Sequence, residues 1–262
     1  MTDDLDFDRA HLQTRHQVRL EWGRVGAAAL TREAVDAAVV VDVLSFTTAV
    51  SIAVSRGVTV FPYRWRDSGA AAHAMRHGAK LAVGRFEARA ASSGAHVSLS
   101  PAAMEQIEGV ERLVLPSPNG STLSFELVES GAVVYAASMR NAGAVARMLL
   151  PLLADGGSVA MIPAGERWPD GSLRPALEDL WGAGAVIAAL AAAGVQSLSP
   201  EARAAASAYE QIATAPEQAL MAVASGVELV EKGFHDDVVA AARVDVDDVA
   251  PRLIDLAFSA SS

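Results

Sequence analysis

The feature that most constrains the fold of this chain is an apolar run, Ala37–Leu44, which contains a single charged residue, Asp42. The length of the run and its valines are typical of a β-strand, and an apolar run without alternation is expected where helices cover both faces of a sheet. A carboxylate at the end of a buried strand must be paired, hydrogen-bonded or coordinated, because leaving it alone there is costly. Asp42 is therefore a candidate functional residue.

Short apolar runs alternate with helical patterns along the rest of the chain, and this alternation predicts a layered α/β/α fold with a mainly parallel or mixed sheet. We expect a single domain over residues 1–262, with a polar and partly disordered lead at residues 1–15. Residues 85–100 are expected to be irregular, and residues from Ser199 onward mostly helical. Strands are predicted at 17–22, 37–44, 58–62, 80–84, 111–115, 132–136, 158–162 and, as a final strand, 243–245.

Composition excludes several classes of function. The 262 residues include no cysteine, which rules out a thiolate nucleophile and a disulfide framework, and fits a cytoplasmic protein. The net charge of −10 argues against a nucleic-acid surface, although a few arginines can still attract a small anion. No apolar run reaches membrane-spanning length, and the acidic N-terminus lacks the order of a signal peptide. A homodimer is plausible because the chain is rich in alanine and slightly apolar.

Several predicted strands end in polar residues at the start of a helix, and in a parallel sheet such ends share one edge. Helix N-termini suit phosphate, and carboxylates suit Mg²⁺. Taken singly, Asn119, Asn141 and Thr47 are each better explained as simple helix N-caps. The polar residues at these strand ends are Asp42, Ser45, Thr47, Thr48, Asn119, Ser121, Thr122, Ser138, Asn141 and Glu166.

A second candidate segment runs from Pro163 to Gly184, where a strand leads into a polar loop and then into a helix. Pro175 suits the first turn of that helix, and an Asp-Gly pair in the loop indicates a turn. Glu178 and Asp179 would fall early in the helix, where they either complement the helix dipole or form part of a site. The segment by itself leaves both interpretations open.

Two widespread motifs of phosphate-handling enzymes are absent from the sequence. The sequence lacks a P-loop, and Leu44 stands where haloacid-dehalogenase phosphatases need a second aspartate. His73 and His77 have helical spacing, but no carboxylate pattern accompanies them, which favours a solvated helix face over a metal site.

The ordered set of motifs nevertheless resembles the 2-phosphosulfolactate phosphatase (ComB) family of Mg²⁺-dependent acid phosphatases. The family pattern V-I-D-V-L-R-A-T-T is similar to Val41–Thr48, and its T-N-G-T is similar to 118–121. A G-S-x-x-N-A segment corresponds to 137–142, and the A-G…E-D…A-G pattern resembles residues 164–184. The matches extend over roughly residues 37–190, in the family's order.

The resemblance implies a ComB-like fold, a phosphatase that releases phosphate from 2-phosphosulfolactate or a related small acidic phosphoester, and a place in coenzyme M biosynthesis. Asp42, Glu178 and Asp179 become the candidates for catalysis, and together with Glu166 for binding Mg²⁺. The residues expected to hold the phosphate are Ser45, Thr47, Thr48, Asn119, Gly120, Ser121 and Asn141. Arg167 and Arg174 are expected to meet the acidic tail of the substrate.

Two positions depart from the family pattern. Ser45 replaces an arginine that would be a natural phosphate partner, and Arg85 replaces a glutamate after the fourth strand. The cationic groups, and with them the substrate, are therefore expected to have moved. The alternatives are a phosphatase for an unrelated phosphoester, or a relative that binds an anion without chemistry.

Overall fold

The computed structural model describes residues 7–65, 67, 69–90 and 97–261. Its strands are, in chain order, β1 (Val18–Leu20), β2 (Ala37–Val41), β3 (Thr59–Tyr63), β4 (Lys80–Val83), β5 (Val97–Ser98), β6 (Arg112–Pro116), β7 (Val133–Ala137), β8 (Val159–Pro163), β9 (Glu166–Arg167), β10 (Leu173–Arg174), β11 (Pro251–Ile254) and β12 (Ala257–Ala260). Strands were predicted close to β1–β4 and β6–β8, because those segments are apolar and short.

The helices alternate with these strands through most of the chain. They are α1 (Gly23–Leu30), α2 (Phe46–Ser55), α3 (Gly69–Arg76), α4 (Arg85–Ala90), α5 (Pro101–Met104), α6 (Gly120–Glu129), α7 (Ala142–Ala154), α8 (Leu177–Ala192), α9 (Pro200–Glu210), α10 (Pro216–Ala222), α11 (Ala224–Glu231) and α12 (His235–Ala242). Short 3₁₀ helices occur at Arg9–Leu12 and Met139–Asn141.

The large sheet is mixed, with strand order β1-β8-β2-β7-β11-β12-β3-β6-β4-β5. Its first four strands are mutually parallel, and so are its last four. The antiparallel hairpin β11–β12 joins the two parallel blocks through single pairs, Arg252 with Tyr135 and Phe258 with Val60. The prediction of a layered α/β fold with a mainly parallel or mixed sheet is confirmed.

Strand β2 explains why the sheet has two helical layers. Ala37, Val39 and Val41 belong to one core, which includes residues of α7, α8 and α9. Ala38 and Val40 belong to the opposite core, which includes residues of α1, α2 and α6. Because successive strand residues point to opposite faces, an uninterrupted apolar strand is what a sheet between two helical layers requires.

The C-terminal end of the chain departs from the predictions, and only part of the predicted lead is described. In the lead, residues 9–12 form a 3₁₀ helix with Leu12 buried, and the side chain of Gln13 donates to the carbonyl of Leu20 (2.9 Å), so this part is ordered. Residues 1–6, which include the acidic start of the chain, lie outside the described residues. No strand forms at 243–245; the C-terminal strands are β11 and β12 instead.

Three further predictions need correction. Helix α1 was not anticipated, because its sequence is short and rich in small residues. The segment 85–100 is not simply irregular, since it begins with α4 and contains β5, while residues 91–96 lie outside the described residues. Helix α8 begins at Leu177 with Ala176 as its N-cap residue, so Pro175 precedes the helix rather than occupying its first turn. In the part of the chain that is described, no helix combines the length and apolar character that crossing a membrane requires.

Candidate active site

A cavity of about 750 Å³ lies where strands of both parallel blocks end. Asp42 follows β2, Arg85 follows β4, Asn119 follows β6 and Glu166 follows β8. The two blocks run in opposite senses across the hairpin, and a twist of roughly 20–25° between neighbouring strands accumulates along the sheet. That twist allows the carboxyl ends of strands from both blocks to line one cavity.

Asp42 lies between the N-termini of two helices. The backbone N–H of Phe46, at the start of α2, donates to Oδ1 of Asp42 (3.2 Å), and the N–H of Gly120, at the start of α6, also donates to this carboxylate. Position 120 requires glycine, because a Cβ there would lie 2.1 Å from the ring of Phe46. Two helix N-termini therefore point their N–H groups at one anionic site.

The pKa of Asp42 is raised to about 6, chiefly by burial, and the charge of Glu178 raises it further. The two backbone N–H donors and the guanidinium of Arg85 act in the opposite direction. The repulsion from Glu178 means that a cation at this place would stabilise the ionised carboxylates.

Glu166 belongs to the small β9–β10 hairpin that forms between β8 and α8. Its Oε2 lies 3.4 Å from the side-chain amide of Asn119, which donates to it. Burial, and next the charge of Asp42, raise the pKa of Glu166 to about 7, while Arg174 opposes the shift. Asp42 and Glu166 are therefore two carboxyl groups in one cavity whose pKa values approach neutrality.

Glu178 and Asp179 are adjacent and both buried, yet they have different surroundings. Asp179 accepts hydrogen bonds from the backbone N–H groups of Val43 (2.7 Å) and Gly165 (2.9 Å), so each of its oxygens is used. Burial raises the pKa of Asp179 well above its usual range, and the charges of Asp42 and Glu178 add to that effect. The carboxylate of Glu178, by contrast, has no hydrogen bond from any described residue, although its side chain is only 3% exposed.

Five residues expected to hold phosphate are buried and do not line the cavity, namely Thr47, Thr48, Gly120, Ser121 and Asn141. The hydroxyl of Thr47 accepts from the N–H and donates to the carbonyl of Asp42 (2.9 and 2.8 Å), and that of Thr48 donates to the carbonyl of Val43 (2.8 Å). These hydroxyls shape the loop, so the substrate-binding role is withdrawn for both. The hydroxyls of Thr47 and Thr48 cannot donate to a phosphate oxygen without breaking those bonds.

The same correction applies to Asn141 and Ser121. The amide of Asn141 donates to the carbonyls of Ala136 and Val249 (both 3.2 Å), and its Oδ1 accepts from the N–H of Ser138. Its side chain therefore closes the 3₁₀ turn before α7 and anchors the C-terminal segment. The hydroxyl of Ser121 is buried with no hydrogen-bond partner among the described residues, and it does not line the cavity.

Arginines lie beside the carboxylates in the lining of the cavity. Nε of Arg167 donates to Oδ1 of Asn119 (3.2 Å), and Nη2 of Arg174 donates to the hydroxyl of Ser225 (3.1 Å), a residue of α11. The guanidinium of Arg174 also lies 6.0 Å from the ring centroid of Trp168. Nη2 of Arg85 donates to the hydroxyl of Ser45 (2.7 Å). The cavity therefore brings carboxylates and guanidinium groups together, since Arg174 is the cross-strand partner of Glu166, and this mixture suits an anion that brings a metal ion with it.

A sequence model of the 2-phosphosulpholactate phosphatase family matches residues 27–255. The chain belongs to this family. A relative in Carboxydothermus hydrogenoformans, described as a probable 2-phosphosulfolactate phosphatase, is 30% identical over 229 residues, which cover 82% of this chain and 85% of the relative. The resemblance stated from the motifs is thus confirmed, and membership indicates a phosphatase, a phosphoric monoester hydrolase.

The 2-phosphosulfolactate phosphatase family pattern has an arginine at position 45, where this chain has serine. In the structure, the guanidinium of Arg85 lies against that serine, although the two residues are 40 positions apart in sequence. A positive charge is thus present at the place where the sequence comparison suggested that one was missing. The expectation that cationic groups have moved agrees with this contact.

The carboxylates form a loose set rather than a closed metal cage. Among the described residues, no group of three or more His, Asp or Glu side chains converges closely enough to hold a metal ion. Mg²⁺ usually takes one or two carboxylates, several waters and the phosphate of its substrate, so a loose set is compatible with it. Glu178 is buried, accepts no hydrogen bond from a described residue and lies outside the lining of the cavity.

The sequence reasoning missed one wall of the cavity. Ser225, Glu228 and Leu229 of α11 line it, together with Lys232 and Phe234, which follow that helix. No motif marked these residues, since their positions depend on how the C-terminal helices fold back over the sheet. Arg85 could have been found, because it follows a predicted strand as the other site residues do.

Proposed function

We propose that this chain is a Mg²⁺-dependent phosphatase that hydrolyses 2-phosphosulfolactate to sulfolactate and phosphate. Family membership and the name of the relative favour this substrate. The observation that supports the chemistry best is the lining of the cavity, which combines Asp42 and Glu166, with pKa values raised by burial, and the guanidinium groups of Arg167 and Arg174. A small polyanion that binds a divalent cation complements both kinds of charge.

In this proposal Asp42 and Glu166, which line the cavity, would hold Mg²⁺ together with waters and the phosphate of the substrate, and Glu178 would act beside them through a bound water. The bound ion would neutralise charge on the phosphoryl group during its transfer. Asp179 is left out of this set, because both of its oxygens accept backbone hydrogen bonds. It instead holds the two segments that bear Asp42 and Glu166 at a fixed separation.

Hydrolysis forms a bond between phosphorus and a water oxygen and breaks the bond between phosphorus and the ester oxygen. The attacking water loses a proton and the departing ester oxygen gains one, so the site needs a group that exchanges protons near neutral pH. In the metal-free chain the carboxyl groups of Asp42 and Glu166 have pKa values of about 6 and about 7, so whichever of the two does not hold the ion would suit that exchange.

The acidic tail of the substrate would bind to the arginines of the hairpin segment. Arg167 and Arg174 belong to β9 and β10, which form one side of the cavity. Guanidinium groups match sulfonate and carboxylate oxygens well, because their donors lie in a planar fork. A cytoplasmic location, a homodimer and a place in coenzyme M biosynthesis stay predictions of the sequence.

The deciding experiment measures phosphate release from 2-phosphosulfolactate, 2-phospholactate and a neutral-tailed phosphoester, each with Mg²⁺ and with a chelator. We expect 2-phosphosulfolactate to have the highest kcat/KM, and the chelator to abolish release. The Asp42→Asn variant, purified in the same way, reports any contaminating phosphatase.

Two results would contradict the proposal. Preference for a phosphoester without an acidic tail would mean a different substrate class, and release that survives the chelator would remove Mg²⁺. Phosphate binding without release from any substrate would favour the alternative of an anion-binding relative.

A further inference from the structure

Arg85 is the first residue of α4 and lines the cavity, with its side chain 18% exposed. Its guanidinium contacts two residues from distant parts of the chain. Nε donates to Oδ2 of Asp237, a residue of α12, and Nη2 donates to the hydroxyl of Ser45 (2.7 Å). It also lies 5.6 Å from the ring centroid of Phe234. The side chain is therefore held on several sides.

Asp237 is a fixed partner, because its side chain is only 2% exposed and has three donors. Its Oδ1 accepts from the hydroxyl of Ser100 and from the backbone N–H of Ala102 (3.2 Å), while Oδ2 accepts from Arg85. The carboxylate of Asp237 thus orients a cation 152 residues away in sequence.

An arginine has five N–H donors, and these two contacts use two of them. Within the described residues, Nη1 of Arg85 donates no hydrogen bond, while the residue itself lines the cavity. A guanidinium that is anchored through Nε and retains donors on its Nη atoms is preorganised to bind an oxyanion.

We infer that Arg85 binds the phosphoryl group of the substrate, a specificity role that this chain places on α4. The inference rests on the proposed phosphatase function. Arg85 lies beside Ser45, in the turn that joins Asp42 to α2, whereas Arg167 and Arg174 belong to the hairpin. The reacting group must lie near Asp42, so Arg85 contacts the phosphoryl oxygens and the hairpin arginines contact the tail.

A purely structural role is the competing explanation, in which Arg85 only ties α4 to α12. The two roles predict different affinities for inorganic phosphate, the product of the reaction. This binding can be measured without turnover. We would measure phosphate affinity by calorimetry in the presence of Mg²⁺, and melting temperature, for the wild-type chain and for Arg85→Gln, Arg85→Lys and Arg24→Gln. Arg24 is the matched control, because it pairs with Glu126 outside the cavity.

We expect Arg85→Gln to weaken phosphate binding about 10- to 100-fold, the usual size of one charge-assisted contact. Arg85→Lys keeps the charge but loses the planar fork, so we expect a loss of several-fold with the fold intact. Arg24→Gln should bind phosphate as the wild type does. If Arg85→Gln does not fold, Arg85→Lys decides the question.

The inference would be overturned if a folded Arg85→Gln variant bound phosphate within threefold of the wild-type affinity. If the glutamine variant does not fold, unchanged phosphate affinity in Arg85→Lys would overturn it. So would an absence of phosphate binding by the wild-type chain. The proposed function is judged separately by phosphate release. If the chain releases phosphate from 2-phosphosulfolactate but its phosphate affinity does not depend on Arg85, only this inference is removed. Arg85-dependent phosphate binding without any turnover removes the proposed function and leaves Arg85 as an anion-binding residue.

Discussion

Oδ1 of Asp179 accepts a 2.7 Å hydrogen bond from the backbone N–H of Val43, the residue that follows Asp42. The other oxygen of Asp179 accepts from the N–H of Gly165, next to Glu166 (2.9 Å). One buried carboxylate on α8 thus fixes both segments that bear the cavity's acidic residues. Gly182, one turn further along α8, allows this close approach, because a Cβ there would lie 2.6 Å from the side chain of Val43.

We predict that Asp179→Asn lowers both stability and activity. The substitution relieves repulsion with Asp42, but the amide NH₂ must face one of two buried backbone N–H groups, and we expect that mismatch to dominate. An unsatisfied buried donor costs roughly 1–3 kcal/mol. Thermal melts and kcat/KM measurements test this, and Asp155→Asn is the control because Asp155 is exposed. A large rate loss at unchanged melting temperature would instead make Asp179 a catalytic group.

Glu178→Gln should behave differently from its neighbour. Because no described residue hydrogen-bonds the Glu178 carboxylate, removing its charge should leave the melting temperature unchanged or higher in metal-free buffer. If the carboxylate holds Mg²⁺ through a bound water, kcat/KM should fall by about two orders of magnitude or more. A helix-dipole role would instead cost on the order of 1 kcal/mol of stability or less, with little loss of rate. An active and slightly destabilised variant would support that simpler role.

Asp42→Asn should abolish turnover and reveal the strain of the buried charge. The pKa of Asp42 is raised to about 6 in the fold, so the folded state binds its proton more tightly than the unfolded chain does. The contribution of Asp42 to the free energy of unfolding is therefore greatest in acid, and this contribution is lost as the pH rises through about 6. In metal-free buffer the variant should exceed the wild type at pH 8, by at most about 3 kcal/mol. Near pH 4 the difference should largely vanish; a pH-independent difference would contradict this linkage.

Mg²⁺ should raise the melting temperature of the wild-type chain at pH 8, because an ion that binds only the folded state stabilises it by mass action. The same addition should have a much smaller effect on Asp42→Asn and Glu178→Gln. Glu129→Gln is the control, because Glu129 is exposed and pairs with Arg64. Equal stabilisation of all variants would place the ion elsewhere.

Arg174→Gln should separate binding of the acidic tail from chemistry. We expect KM for 2-phosphosulfolactate to rise about tenfold or more while kcat changes little, because a lost charge-assisted contact weakens binding. KM for a phosphoester with a neutral tail should stay close to its wild-type value. Equal effects on both substrates would mean that Arg174 does not recognise the tail.

Local patterns were sufficient to predict most of the sheet. Strand β2 is apolar on both faces because helices cover both, and that requirement is visible in five consecutive residues, Ala37–Val41. The placement of Asp42 and Glu166 at strand ends followed from the same reasoning, since parallel strands gather their carboxyl ends. Where patterns were weak, as in α1, α4 and the β11–β12 hairpin, the predictions were missing or wrong.

The sequence by itself determined the layered fold, the family and the acidic residues at the strand ends, because each depends on residue type and short-range spacing. Only the tertiary structure decided which polar groups face the cavity. Thr47 and Asn141 satisfy buried backbone groups instead, since a buried N–H or carbonyl must find a partner. The contact of Arg85 with Ser45 and Asp237 likewise joins segments that only folding brings together.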